Sequence, residues 1–218
     1  MTYTGDVTPG GPPAVRELAA LTITKVSVGD LDNNAYLLRC RRTGEQLLVD
    51  AAAEADRLLA LAGDGGLRTV VTTHRHHDHV RALAAVVAAT GAASLAHRAD
   101  AAAVPGPPTP VDDGDTVRVG ECGLTVIHLA GHTPGALALH YRDPAPGGTD
   151  HLFTGDSLFP GGAGRTTSPE DFDSLMSDLE RKVFGRLPDD TWFYPGHGRD
   201  STLGAERPHL PQWRARGW

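Results

Sequence analysis

The sequence predicts an α/β fold in which two mixed sheets lie back to back with helices outside them. Strand-length runs of apolar and β-branched residues interleave with Ala- and Leu-rich segments of helical length. These runs fall into two halves, each with consecutive strands plus helices. The 218 residues, 40% hydrophobic and 22% charged, can bury one full core. Two packed sheets covered by helices satisfy this pattern.

The first half is predicted to start with antiparallel strands. Residues 1–15 are rich in Gly, Pro and Thr, and we expect a mobile arm there, followed by a single domain over residues 16–218. Apolar and polar residues alternate from Leu21 to Val28, as in a half-buried strand. The elements predicted in this half are strands at 21–28, 34–38, 46–50, 67–73 and 93–96 and helices at 53–61 and 80–89.

The second half is predicted to contain strands and one well-marked helix. Ser168 is the expected N-cap of that helix, Pro169 occupies its first position, and acidic residues follow. Residues 104–114 contain closely spaced Pro and Gly and are predicted to be a loop, and the tail from Arg199 is polar. The elements predicted here are strands at 124–129, 136–141, 151–154 and 192–194 and a helix from 169 to 184.

Composition excludes several classes of partner. A net charge of −7 and a pI near 5.8 argue against a nucleic-acid surface, although a few arginines could still hold a small anion. The sequence shows neither a signal peptide nor an apolar run long enough to span a membrane, so we expect a cytoplasmic protein without a membrane partner. Cys40 and Cys122 have no metal-site spacing and are interpreted as small buried hydrophobic residues.

The residues from His74 to His79 follow the pattern H-x-H-x-D-H. Folding rarely requires three imidazoles and a carboxylate within six residues. These side chains are, however, typical ligands of a divalent metal ion. The bland alternative is a solvated polar loop. The motif stands between a predicted strand and a predicted helix, at the carboxyl end of the strand, where α/β sheets place their chemistry.

Three more potential ligands follow predicted strands, each beside glycine. His132 lies in G-H-T-P-G, Asp156 in T-G-D-S-L-F and His197 in P-G-H-G. With the motif they make seven ligands, which can serve two ions: His74, His76 and His132 for one, and Asp78, His79 and His197 for the other, with Asp156 bridging. Imidazole and carboxylate ligands suit zinc and also iron.

The order and spacing of these motifs, from about Leu21 to Gly198, resemble the metallo-β-lactamase superfamily. The resemblance implies an αβ/βα four-layer sandwich with the metal site in a cleft between the sheets. It also implies that Asp50, at a strand end, is a buried acid that orients a ligating imidazole.

Within that superfamily the chain resembles glyoxalase II-type hydrolases, through G-H-T-P-G and G-D-S-L-F. Asp156 stands where the commonest β-lactamases have Cys, so antibiotic hydrolysis is not expected. The sequence ends at Trp218, soon after His197, and we expect a short form without the C-terminal region that holds glutathione. Arg75 stands where the family often has another His.

The resemblance implies hydrolysis of a thioester, a small thiol conjugate, by a hydroxide shared between two zinc ions. Asp78 would both bind a metal and orient the hydroxide, which makes it the expected catalytic residue. Arg165 follows a Gly-rich loop and could bind an anionic group of the substrate, or could be a plain surface arginine.

Three alternatives stay open. Residues 159–166 resemble the matching stretch of persulfide dioxygenases, which use one Fe²⁺, but Thr167 stands where those enzymes commonly have Asp. A lactonase would need the same metal centre, because hydroxide attack on an ester is similar chemistry. The third is a non-catalytic metal-binding protein, which a complete ligand set disfavours.

Overall fold

A seven-stranded sheet is built from the first half of the chain in this computed structural model, which describes residues 3–217. Its strands follow in chain order across the sheet: β1 (Ala14–Glu17), β2 (Leu21–Val28), β3 (Asn33–Cys40), β4 (Gln46–Val49), β5 (Leu67–Thr72), β6 (Ala93–His97) and β7 (Thr109–Val111). Strands β1 to β4 pair antiparallel, and β4 to β7 pair parallel. The predicted antiparallel start is therefore confirmed.

The second half forms a six-stranded sheet and a small two-stranded ribbon. Its strands are β8 (Thr116–Val119), β9 (Cys122–His128), β10 (Leu137–Arg142), β11 (Asp150–Gly155), β12 (Leu158–Phe159), β13 (Gly162–Ala163), β14 (Trp192–Pro195) and β15 (Ser201–Thr202). The order across the large sheet is β15-β14-β11-β10-β9-β8, and β12 pairs with β13. Only the β11–β14 pair is parallel among the strands described in this sheet, so both large sheets are mixed.

Helices cover the outer faces of both sheets. They are α1 (Ala55–Ala62), α2 (Leu83–Thr90), α3 (Pro169–Asp178), α4 (Leu203–Glu206) and α5 (Leu210–Arg216). The predicted cap of α3 is present, because Oγ of Ser168 accepts a hydrogen bond of 3.1 Å from the backbone nitrogen of Asp171. The helix then continues as a π-helical stretch, Leu179–Phe184, to the predicted end.

Alternating side chains of the strands separate the core into layers. In β3, Tyr36, Leu38 and Cys40 pack between the two sheets. Ala35 and Leu37 point the other way, into the layer that contains α1 and α2. A third apolar layer joins the six-stranded sheet to α3 and α5. The predicted four-layer arrangement, with two mixed sheets inside and helices outside, is confirmed.

Several segments differ from the sequence prediction, and three of them have a clear physical reason. The loop predicted at 104–114 contains β7, an edge strand that tolerates Pro110 because one side of it has no neighbouring strand. Strand β8 was not predicted, because it is half exposed and an alternation of polar and apolar residues over only four positions is a weak indication of a strand. The polar tail folds into α4 and α5, where Trp213 is buried against Phe184 with ring centroids 6.1 Å apart.

The described part of the predicted arm lies against the seven-stranded sheet. Ala14 pairs with Lys25, and Pro9 forms an isolated bridge with Ser27. The Tyr3 hydroxyl donates a hydrogen bond of 2.9 Å to Asp200. Contacts with the domain thus begin before residue 16, and the mobility of the arm stays a prediction. Among residues 3–217 no helix has the length and apolar character needed to cross a bilayer.

Candidate metal centre

The seven predicted ligands lie together at one edge of the sandwich, in loops that follow β5, β9, β11 and β14. The loop after β5 supplies four of them, since one 3-10 turn, His77–His79, folds the second half of the motif back toward the first. The other three come from the six-stranded sheet. The seven side chains are those of His74, His76, Asp78, His79, His132, Asp156 and His197.

Asp156 lies between the two predicted trios. Its Oδ2 is 4.0 Å from Nε2 of His74, 3.7 Å from Nε2 of His132 and 3.5 Å from Nε2 of His197. Its Oδ1 is 3.4 Å from Nε2 of His79. One trio consists of His74, His76 and His132, and the other of Asp78, His79 and His197. Within each trio, the ligand atoms lie within 4.8 Å of one another.

Backbone carbonyls orient two of the imidazoles. Nδ1 of His132 is 2.6 Å from the carbonyl oxygen of Arg165, and Nδ1 of His197 is 2.9 Å from that of Leu31. A carbonyl oxygen can only accept, so Nδ1 must carry the proton in both rings. Each Nε2 therefore presents a lone pair to the centre of the cluster, which is the arrangement of metal-bound histidines.

Asp50 connects the seven-stranded sheet to the cluster. Its buried carboxylate accepts hydrogen bonds of 2.7 Å from the backbone nitrogen of Thr73, 2.7 Å from Oγ1 of Thr73 and 2.9 Å from Nδ1 of His79. Its backbone has a φ of 58°, which a residue at the end of a strand adopts only at a cost. Asp50 can thus orient the imidazole of His79 directly. It acts on His74 indirectly, because Oγ1 of Thr73 contacts Nδ1 of His74.

The charges in the cluster favour bound cations. Burial lowers the pKa of His74 and of His132, which keeps both imidazoles neutral. Burial also opposes ionisation of Asp78 and Asp156, but a hydrogen bond from Asn33 to the first and the His79 imidazole beside the second hold both carboxyl pKa values below the usual range. For His79, burial is outweighed by the carboxylates of Asp50 and Asp156, which raise its pKa to about 10.

Several polar atoms of the cluster have no hydrogen-bond partner although they are buried. These are Nε2 of His74, Nε2 of His132 and Oδ1 of Asp156. Nε2 of His79 and Nε2 of His197 are only 3.2 Å apart. At that distance a proton or a metal ion must lie between the two nitrogens, and a buried polar atom without a partner is costly. The donor set therefore fits divalent ions such as zinc or iron.

Two further side chains that sequence reasoning missed organise the cluster. Nδ2 of Asn33, at the start of β3, donates a hydrogen bond of 2.9 Å to Oδ2 of Asp78. Asp100 accepts hydrogen bonds from the backbone nitrogens of Arg75 (3.0 Å) and Gly135 (2.9 Å) and from Oγ1 of Thr133 (2.5 Å). Asp100 thereby joins the loop of His74 to the loop of His132. Neither residue belongs to a recognisable motif.

Replacing Asp100 with alanine is expected to weaken metal binding by about 10- to 100-fold, because three hydrogen bonds between the two ligand loops are lost. Competition with a chromophoric chelator measures the affinity. Asp64→Ala, at an exposed acid, is the matched control. An affinity for metal equal to that of the wild type, in a folded Asp100→Ala protein, would show that the loops hold their geometry without this carboxylate.

Gly196 allows the His197 loop to approach the cluster. A Cβ at this position would overlap Oδ1 of Asp156 and would lie 2.7 Å from Cε1 of His79. The P-G-H-G motif therefore needs glycine before the histidine for reasons of space.

A cavity of about 570 Å³ opens beside one trio. It is lined by His76, His132, Arg165, Thr166 and Thr167. Arg165 is exposed. The predicted anion-binding arginine therefore lines a cavity that also contacts two predicted ligands, His76 and His132.

The chain is similar to known proteins in sequence and in fold. Residues 28–197 match the family described as the metallo-beta-lactamase superfamily. The hydroxyacylglutathione hydrolase of Polaromonas sp. strain JS666 is 38% identical over 170 residues, which cover 76% of this chain and 62% of that protein. The chain thus spans about three fifths of the length of this curated relative.

Two solved structures are similar over most of the chain. ETHE1 from Myxococcus xanthus is 29% identical with a TM-score of 0.76, and the match covers 88% of this chain and 84% of that one. TTHA1623, solved in a di-iron-bound form, is 32% identical with a TM-score of 0.69, covering 84% of this chain and 96% of that one.

Proposed function

Since the chain belongs to the metallo-beta-lactamase superfamily, we propose that it is a metal-dependent hydrolase that acts on thioesters of the hydroxyacyl–thiol class. The observation that carries the proposal is the pair of ligand trios with the Asp156 carboxylate between them. The curated relatives named hydroxyacylglutathione hydrolase support the substrate class.

The ligands of the two ions would be those that the sequence predicted. His74, His76 and His132 would hold one ion, Asp78, His79 and His197 the other, and Asp156 would contact both. When bound, such ions polarise a carbonyl oxygen and make water a nucleophile at neutral pH. We propose zinc, two ions per chain, and iron is the alternative, which the di-iron-bound form of TTHA1623 favours.

Asp78 is the proposed catalytic residue. Its carboxylate is fixed by Nδ2 of Asn33, stays ionised, and is partly exposed to the cleft, with 23% of the side chain accessible. It can therefore accept a hydrogen bond from the attacking water and direct a lone pair of that water toward the acyl carbon. The leaving thiolate needs little protonation, so a separate strong general acid is not required.

Arg165 is the proposed site for an anionic group of the thiol conjugate. Its backbone carbonyl orients His132, and its guanidinium lies at the rim of the same cavity. A carboxylate on the thiol portion could pair with it while the acyl carbon lies near the metals.

Replacing Arg165 with glutamine is expected to raise KM for an anionic thioester by about tenfold with little change in kcat, because only binding of the distant charge is lost. Initial rates with an anionic and a neutral thioester measure the effect, and the neutral substrate should be unaffected. Arg68→Gln, at an exposed arginine outside the cavity, is the matched control. Equal losses for both substrates would contradict anion binding by Arg165.

A substrate panel tests the proposed reaction. The metal-loaded protein is offered hydroxyacyl thioesters, lactones and a glutathione persulfide, with thiol release, acid release and oxygen uptake recorded. We expect kcat/KM to be highest for the thioesters, with one thiol and one acid released per turnover. Faster turnover of lactones, or oxygen uptake with the persulfide, would replace the thioester proposal.

Persulfide oxidation by one iron is the second candidate. It is favoured by the G-R-T sequence that ends at Thr166 and by the structural similarity to ETHE1. Thr167 in place of the usual Asp weakens it, and Asp78, His79 and His197 form a second trio that a single ion would not use.

A further inference from the structure

A fully buried lysine lies in the apolar layer between the two sheets. Lys25 follows Leu21 and Ile23 on the face of β2 that packs against the six-stranded sheet, and its side chain is 0% exposed. Burying an ammonium group is costly unless the group is paired and hydrogen-bonded. An apolar side chain would fit the alternation of β2 better, so the reason for the charge must lie in its contacts.

The ammonium group of Lys25 has two partners, and both follow His197 in the chain. Nζ donates hydrogen bonds of 2.6 Å to Oδ1 of Asp200 and of 2.7 Å to the carbonyl oxygen of Gly198. The Asp200 side chain is also fully buried, and its Oδ2 accepts a hydrogen bond of 3.2 Å from Nε1 of Trp192. Lys25 therefore ties the segment after His197, which leaves the six-stranded sheet, to a strand of the other sheet.

Asn34 holds the same segment from β3. Its Nδ2 donates hydrogen bonds to the carbonyl oxygens of Pro195, at 2.9 Å, and of Gly198, at 3.0 Å. Its backbone nitrogen donates one of 2.7 Å to the carbonyl oxygen of Gly196. The carbonyl groups on both sides of the histidine in the P-G-H-G motif are thus fixed from the seven-stranded sheet. Lys25 and Asn34 together form a clamp on the loop 195–198.

The clamp is closed to water. Lys25 is 0% exposed and Asn34 is 1% exposed. Beside them, the buried hydroxyl of Tyr36 donates a further hydrogen bond of 2.6 Å to the carbonyl oxygen of Pro195. Hydrogen bonds from a charged donor are stronger than neutral ones, and more so where water does not compete. The loop 195–198 is therefore held in place by the protein itself, and a preorganised ligand binds more tightly.

The clamp acts on only one of the two trios. His197 belongs to the trio that contains Asp78 and His79. The other trio has a different support, because Asp100 joins the loop of His74 to the loop of His132. The affinities of the two ions should therefore respond to different substitutions.

We propose that Lys25 and Asn34 are positioning residues of the metal centre, which fix the loop 195–198 so that His197 is in place for the ion that it shares with Asp78 and His79. The inference rests on the two-ion centre of the proposed function and assigns control of one ion's affinity to two side chains that are not ligands. Loosening the clamp should convert a two-ion protein into a one-ion protein at limiting metal.

Stepwise titration of the metal-free protein with zinc, in competition with a chromophoric chelator, tests the proposal. We expect the wild type to bind two ions. Asn34→Ala removes two hydrogen bonds to the loop and should weaken one binding step by about 10- to 100-fold, while the other step changes by less than about threefold. Equal weakening of both steps, no weakening of either, or a wild type that binds a single ion would overturn the proposal.

A second variant tests the buried ion pair without leaving a lone charge. Lys25→Met combined with Asp200→Asn removes both charges together and should weaken the same binding step as Asn34→Ala. Gln46→Leu is the matched control, because Gln46 is 4% exposed and donates a hydrogen bond of 3.1 Å to the carbonyl oxygen of Ala62, at the far end of β4 from Asp50. Unchanged affinities in the double variant, or the same selective loss in the control, would contradict a role of the clamp.

A double-mutant cycle separates positioning of His197 from general support of the fold. In a His197→Ala protein, which lacks the ligand on which the clamp acts, adding Asn34→Ala should leave the affinity for the remaining ion unchanged. A further loss of about tenfold in that background would overturn the proposal, because it would show that Asn34 acts on the other trio. Since metal binding is the readout, a protein that fails to hydrolyse thioesters would refute the proposed reaction and leave this test intact.

Discussion

Replacing Asp78 with asparagine is expected to lower thioester turnover by about 10³-fold while the chain stays folded. The amide keeps the size of the side chain but loses the charge that accepts a hydrogen bond from the attacking water. It also weakens the trio that Asp78 shares with His79 and His197. Because Asp78 is partly exposed, the fold should tolerate the change. Steady-state kinetics at saturating metal, with metal content verified, measures the effect.

Two controls make the Asp78 result specific. Asp64→Asn, at an exposed acid before β5 and thus at the opposite end of that strand from His74, should keep wild-type kcat. Circular dichroism and Tm should show that the Asp78→Asn protein is folded. Near wild-type turnover in a metal-verified variant would mean that another group orients the nucleophile, and the proposed mechanism would fail.

Removing the metal ions is expected to abolish hydrolysis and to lower Tm by about 10 °C. Without cations, the unpartnered atoms of His74, His132 and Asp156 face one another in a buried site. Ions that bind only the folded chain stabilise it by about 4 kcal/mol when their concentration is 1,000 times Kd. Dialysis against a chelator, followed by calorimetry and by addition of zinc, measures both effects.

The control for chelation is a protein that cannot hold the ions. A His132→Ala and His197→Ala double variant has one ligand removed from each trio, so chelator should change its Tm little. If the wild type kept its activity and Tm after chelation had removed all metal, the cluster would be a polar network rather than a metal centre.

The ligands could be predicted because each has a local signature in the sequence. The H-x-H-x-D-H motif and the glycines beside His132, Asp156 and His197 mark strand ends, and strand ends of α/β proteins share an edge. The layers could be predicted because apolar alternation and Ala-rich runs separate strands from helices. The family resemblance added Asp50, whose position at a strand end alone indicates only a turn.

Asn33 and Asp100 could not be predicted because their roles depend on register between distant strands. Asn33 lies beside the cluster only because it forms an isolated β-bridge with His197, 164 positions away in the chain. Asp100 matters only because the G-H-T-P-G loop folds onto it. The helical tail was missed for a similar reason, since two buried apolar residues, Leu203 and Trp213, organise a segment that is otherwise polar.

If the seven side chains form a two-ion centre, anomalous X-ray diffraction from crystals of the protein purified without added chelator will locate both ions. Data collected on both sides of the zinc and iron absorption edges identify the metal and locate each ion. We predict two peaks, one among His74, His76 and His132 and the other among Asp78, His79 and His197, with Asp156 touching both. A single peak at full occupancy, or none, would show that the seven side chains do not form a two-ion centre.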